Sequence, residues 1–279
     1  MFAQFTKTIL FAIMSFLALD RAEAGENTSC GDRAEVIVHN AYPDATKSDE
    51  ETFQVGASTI SINNSETGID APHMMICRVW PANPQLTLVA VPLIKSANED
   101  GIVGDLELLV VDTSSLAVKQ RLLLANRMND DAIAIRSLEF DTARYKLTKE
   151  QTAFGLRISA SNNSRANPYN GVSLWLYVLE GSSIRPVVDG MVVSETTGES
   201  DTNCAAEFKT RQTTLSMAPT TSHGFADISA VETNTTRTNF VGKDGACDET
   251  SITDKPQKLR LIYDGRQYPI PEERRAVTE

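Results

Sequence analysis

Hairpin following hairpin, with almost no helical periodicity, predicts an all-β fold for this chain. Runs of strand length, rich in β-branched and apolar residues, recur along the sequence. Clusters of Gly, Asp, Asn and Ser separate them, as turns require. Helix-compatible stretches such as Thr142 to Gln151 are short. An antiparallel hairpin meander of this kind closes as a propeller-like array, a barrel or a sandwich, and the periodicity leaves the three open.

The elements follow in order. Lys7 precedes an apolar run from Ile9 to Leu19, and then come Ala22-Glu23-Ala24. Small residues at the first and third positions of that triplet suit a signal peptidase, so residues 1–24 are expected to be a cleaved signal peptide. The apolar run falls short of the roughly 20 residues that span a bilayer. No second long apolar run occurs, so no membrane span is expected in the mature chain. Residues 25–279 are then expected to form a single all-β domain, of which 25–100 is the less regular part.

Within it, the run from Ala34 to Asn40 has the β-branched density of a partly buried strand. Asp44 to Glu51 is a solvated acidic loop, and Thr52 to Ile62 is a strand ending at Asn63-Asn64-Ser65. Met74 to Trp80 is a short apolar segment. Leu86 to Ile94 contains Pro92, which cannot donate to a ladder, so it is expected at an edge or a bend. Leu106 to Val111 and Leu116 to Leu124 flank Asp112-Thr113-Ser114-Ser115 as a hairpin. Ile133 to Phe140 pairs with Ala153 to Ala160 across a long connection from Asp141 to Gln151. Val172 to Leu179 pairs with Ile184 to Ser194, Phe208 to Met217 with Phe225 to Thr233, and Leu259 to Tyr263 with Gln267 to Ile270 around Asp264-Gly265.

The formal net charge is -11, an acidic balance that repels phosphate backbones and anionic lipid heads and favours a basic partner. The four cysteines, Cys30, Cys77, Cys204 and Cys247, contain no CxxC. In an exported chain they are expected as structural disulfides, and local loops favour Cys30 with Cys77 and Cys204 with Cys247.

Motifs that carry chemistry are scarce. There is no G-x-S-x-G, no phosphate-cradling glycine loop and no zinc-protease histidine pair. No catalytic residue and no metal ligand is assigned; calcium is weighed at Asp44 to Glu51, whose carboxylates lack the spacing of a calcium loop, and at Asn129-Asp130-Asp131 and Asp244-Gly245, where an acidic surface is the favoured reading. A hydrolase with dispersed acidic or histidine residues is the alternative class, because any two of the 37 acidic residues could converge. Candidate binding residues lie in two loops. Arg165, Asn167 and Tyr169 belong to the polar loop from Ser161 to Gly171, and His223 and Asp227 belong to Ser222-His223-Gly224-Phe225-Ala226-Asp227. Trp175 and Tyr177 share a strand face by the period of two and serve either as core or as interface.

Ser222-His223-Gly224-Phe225-Ala226-Asp227-Ile228, followed by Leu259-Arg260-Leu261-Ile262-Tyr263-Asp264-Gly265-Arg266-Gln267-Tyr268, resembles the end of exported bacterial β-propeller-like lysozyme inhibitor proteins. In those, an Asp- and Gly-rich turn leads into a strand, and a final hairpin carries two tyrosines around a Gly turn. This chain departs from the acidic turn with Ser222-His223-Gly224. The resemblance implies a periplasmic or secreted binding protein that inhibits a wall-degrading enzyme, often itself basic. An envelope structural component is the remaining alternative; the chain also looks like uncharacterised exported proteins of Gram-negative bacteria.

Overall fold

The computed structural model describes residues 28–62, 72–99 and 101–276; the expected signal peptide and the turn at Asn63-Asn64-Ser65 lie outside them. Two antiparallel sheets dominate. The first contains β1 (Thr28–Ser29), β2 (Thr46–Lys47), β3 (Thr52–Val55), β4 (Ser58–Ser61), β5 (Ile76–Val79), β6 (Leu86–Asn98), β7 (Gly101–Asp112) and β8 (Val118–Leu124). One helix, α1 (Ala34–Ala41), covers its outer face. The second runs in chain order from β9 (Ala134–Lys146) through β10 (Thr152–Ser161), β11 (Tyr169–Glu180), β12 (Ser183–Ser200) and β13 (Ala206–Ser222) to β14 (Phe225–Val241). Both β15 (Cys247–Thr253) and β16 (Gln257–Leu261) pair with β14.

The all-β expectation holds. The sheets face one another, neither closes into a barrel, and no propeller blades are present among the described residues.

Strand parity builds three apolar layers. Val89 and Val91 of β6, with Leu109 and Val111 of β7, point toward Ile37 and Val38 of α1. Their neighbours Leu88, Ala90, Leu108 and Val110 point the other way, against Phe140, Phe154, Leu156, Trp175 and Tyr177 of the second sheet. In β11, the alternate residues Leu174, Leu176 and Val178 enter a third layer with Val188, Met191, Ile228, Tyr263 and Tyr268, because the second sheet curls back over itself. Trp175 and Tyr177 are therefore core, 4% and 0% exposed.

Several local expectations are corrected. Ala34 to Asn40 is helix: Ala34, Ile37, Val38 and Ala41 are the buried positions, a spacing of three and four that a helix brings to one face. Density of β-branched residues concealed that period. Pro92 lies in the central strand of its sheet, where it pairs with Leu106. Its missing donor is tolerated because the neighbour on the other side changes there, from β5 at Ala90 to β4 at Ile94. The connection expected from Asp141 is largely strand, since β9 continues to Lys146. Gln267 to Ile270 forms no strand, and β16 pairs with β14 instead of closing a terminal hairpin.

Both disulfides join the expected partners, Cys30 with Cys77 and Cys204 with Cys247. The first is buried beneath α1, with its cysteines 2% and 1% exposed, whereas Cys247 is exposed. A polar clamp adds to the helix anchor: Glu107 accepts from Tyr42 Oη at 2.5 Å and from Arg121 Nε and Nη2 at 2.7 Å each. Replacing Cys30 and Cys77 together by Ala is expected to lower unfolding stability by about 2–4 kcal/mol. Mild reductant should open Cys204–Cys247 first, which thiol alkylation with peptide mapping would read out.

Candidate functional site, a stapled four-stranded arm

Beyond the cores, residues 194–200 of β12, 206–212 of β13, 233–241 of β14 and 247–253 of β15 continue as a four-stranded arm. None of residues 194–212 or 233–254 is buried. The arm starts where apolar residues stop. On β14 the last core-facing position is Glu232, 5% exposed and held by Arg274 Nε at 2.9 Å. On β13, Leu215 and Met217 still pack against the third layer, while Arg211, on the same face, already reaches Glu195 Oε2 at 2.9 Å.

What holds a coreless sheet together is visible in its residues. Threonine, being β-branched, favours the extended backbone, and cross-strand hydroxyl pairs join neighbouring strands. Thr196, Thr210, Thr235 and Thr253 lie in one rank across all four strands. Their hydroxyls pair at 3.1 Å (Thr196 with Thr210) and 3.0 Å (Thr235 with Thr253). The Cys204–Cys247 bond ties the β12–β13 turn to the start of β15 at the arm's far end.

The two faces differ in chemistry. By register, the outer face carries Thr197, Glu199, Glu207, Lys209, Thr236, Thr238, Phe240, Asp248, Thr250 and Ile252. Phe240 and Ile252 are 40% and 69% exposed there. The inner face is a hollow of about 430 Å³ lined by Thr196, Phe208, Thr210, Gln212, Thr233, Thr235, Arg237 and Ser251. At its floor the Phe208 ring lies over Gly198, where a Cβ would come within 2.6 Å of the ring. Arg237 stacks on that ring, 4.7 Å from its centroid, and faces Glu249 at 3.7 Å.

The candidate residues from the sequence separate into two groups. Asn167 and Tyr169 lie at the arm, and so does the loop that carries Arg165, because Ser200 N donates to Ala166 O at 2.8 Å. Asn162 shapes this loop by accepting from Tyr169 N at 2.9 Å and donating to Asn167 O at 2.9 Å. Arg165 and Asn167 are exposed, and Asn167 borders a shallow depression with Glu199, Asp201 and Glu207. Tyr169 is half-buried; burial and the nearby Glu195 raise its hydroxyl pKa above the ordinary range.

His223 and Asp227 sit at the opposite end of β13, some 50 Å away at the usual rise per residue. His223 occupies the turn with a left-handed backbone, φ 46°, and is exposed beside Gly265. Asp227 is 2% exposed and accepts from Thr220 Oγ1 at 2.6 Å. No hydrogen bond or ion pair joins His223 to Asp227 among the described residues. Among the described residues, no group of three or more His, Cys, Asp or Glu is placed to hold a metal. Asp130 is instead taken up by the amides of Ile102 and Ile135, at 3.0 and 3.1 Å.

Sequence reading did not single out the threonine face. Its signal was present as the alternate residues Thr233, Thr235 and Arg237, but threonine suits any exposed strand equally. No family model, curated protein or solved structure matches the chain.

Two ion pairs test where the arm is anchored. Arg274→Ala leaves the Glu232 carboxylate buried and unpaired, and is expected to lower stability by about 3–5 kcal/mol in chemical unfolding. Lys209→Ala removes an exposed partner of Glu207 and should change stability by less than about 1 kcal/mol. The Thr220 hydroxyl holds the Asp227 carboxyl below the usual range. Its stabilising effect is therefore present at neutral pH and lost as pH falls through that lowered value. Melting temperatures measured from pH 7 down to pH 2 should fall less steeply in Asp227→Asn.

Proposed function

We propose that the protein is an exported binding module whose arm engages a basic protein partner, a wall-degrading enzyme being the partner class that best fits the chain as a whole. The observation that carries this reading is the arm itself. It extends four strands beyond the cores, buries none of its residues and is closed by a disulfide. Such a segment adds little to folding stability, and it is placed to work at the surface.

Its outer face supplies apolar contact area at Phe240 and Ile252 among the carboxylates of Glu199, Glu207 and Asp248. Apolar anchors within a charged rim are the anatomy of a protein interface. The net charge of -11 would speed encounter with a cationic partner, and screening by salt would weaken that encounter. Two disulfides accord with an oxidising compartment outside the cytoplasm. Among the described residues, no helix is long and apolar enough to cross a membrane.

The test mixes the purified mature chain with a panel of lysozymes and wall amidases at low salt. Complex formation is followed by size-exclusion chromatography, and lytic activity on wall suspensions. A stable complex is expected with at least one basic member, weakened at least tenfold by Phe240→Asp with Ile252→Asp. Absence of any complex, together with full lytic activity across the panel, would reject the reading.

A further inference from the structure

The inner face of the arm has no part in that reading, and its chemistry is different. We infer that the hollow between Gln212 and Ser251 is a saccharide-binding groove, taking a short stretch of a linear glycan laid across the four strands.

The lining residues decide the ligand class. Five of the eight carry hydroxyls, one an amide, one an aromatic ring and one a guanidinium. The guanidinium is already engaged by the Phe208 ring and by Glu249. That leaves little net charge for an anionic ligand such as a phosphate. An apolar ligand fares no better, because it would cut the Thr233 and Ser251 hydroxyls and the Gln212 amide off from water, a penalty of about 1–3 kcal/mol for each group left without a partner. A ligand rich in both donors and acceptors is required, and vicinal sugar hydroxyls have that character.

The hydrogen-bonding capacity is also unspent. Among the described residues, Gln212, Thr233 and Ser251 make no side-chain hydrogen bond, although they rim the hollow. Thr196 and Thr210, and Thr235 and Thr253, by contrast, are paired with each other across neighbouring strands. Adjacent strands place these side chains about 4.8 Å apart. That repeat is close to the advance of one sugar ring along a β-linked chain, so successive rings would meet successive strands. A volume near 430 Å³ falls in the range of small-molecule sites and accommodates a short oligosaccharide.

The geometry assigns the roles. Gln212 and Thr233 bind hydroxyls at one margin of the groove, and Ser251 with the outer edge of Arg237 does so at the other. Phe208, kept in place by the absence of a side chain at Gly198, gives the floor its apolar strip.

Isothermal titration calorimetry and amide-shift mapping would use cellohexaose, chitohexaose and soluble peptide-free wall glycan as probes, with sedimentation of insoluble wall sacculi as a separate arm. Saturable binding of at least one soluble probe is expected, with shifts confined to β12–β15. Gln212→Ala with Thr233→Ala should weaken it at least tenfold, Thr233→Ser alone should retain it, and all variants should melt as the wild type does. The outer-face variant Phe240→Asp should bind saccharide normally, which keeps this test separate from that of the protein partner. Binding limited to the N-acetylated probes and sacculi would identify the source as wall glycan; binding to cellohexaose as well would identify a general β-glycan groove. The inference fails if no probe binds at millimolar concentration, or if binding survives the double alanine variant unchanged.

Discussion

The two-sided burial of β6, β7 and β11 is the constraint on which the rest of the molecule depends. Each of these strands sends alternate residues into different apolar layers, so none can slip by one position without exchanging its neighbours across the sheet. Register is fixed at the centre and carried outward along the hydrogen-bond ladders. The arm inherits its alignment from that centre, because β12, β13 and β14 run unbroken from the packed region to the stapled tip.

Stability and surface function are consequently divided along the length of the same strands. Near the core, β14 presents Ile228 and Ala230 to a packed layer; past Glu232 it presents threonines, Asn234 and Arg237 to solvent. The Glu232–Arg274 pair marks the boundary, placing a paired charge where burial ends. An arm built in this way tolerates substitution of its exposed residues with little effect on the core, so its two faces are free to carry two different chemistries. Carboxylates, threonines and the exposed Phe240 and Ile252 occupy one face; hydroxyls, an amide and the stacked Phe208–Arg237 pair occupy the other.

Much of the architecture was legible in the sequence because it depends on local chemistry. The Asp112-Thr113-Ser114-Ser115 turn is an example: the Asp112 carboxylate accepts from both Ser114 N and Ser115 N, which any such tetrapeptide between two apolar runs invites. The disulfide partners were likewise readable from spacing. What misled was residue type without its environment. Valine and isoleucine in Ala34 to Asn40 suggested strand, but a helix buries them against β6 and β7. Pro92 suggested an edge or a bend, and the gap between β5 and β4 gives it room in the central strand.

The sequence by itself determined that the chain is all-β, that its cysteines pair locally and that its surface is acidic, since each follows from composition, alternation and loop length. Only the tertiary structure decided that the sheets pack face to face without closing, and that β12 to β15 leave the core as an arm. Closure depends on the cumulative twist of long strands, and exposure depends on where packing partners run out; neither quantity resides in any one stretch of sequence. For the same reason the threonine rank, drawn from four strands separated by long intervals of chain, became a surface only when the register aligned it.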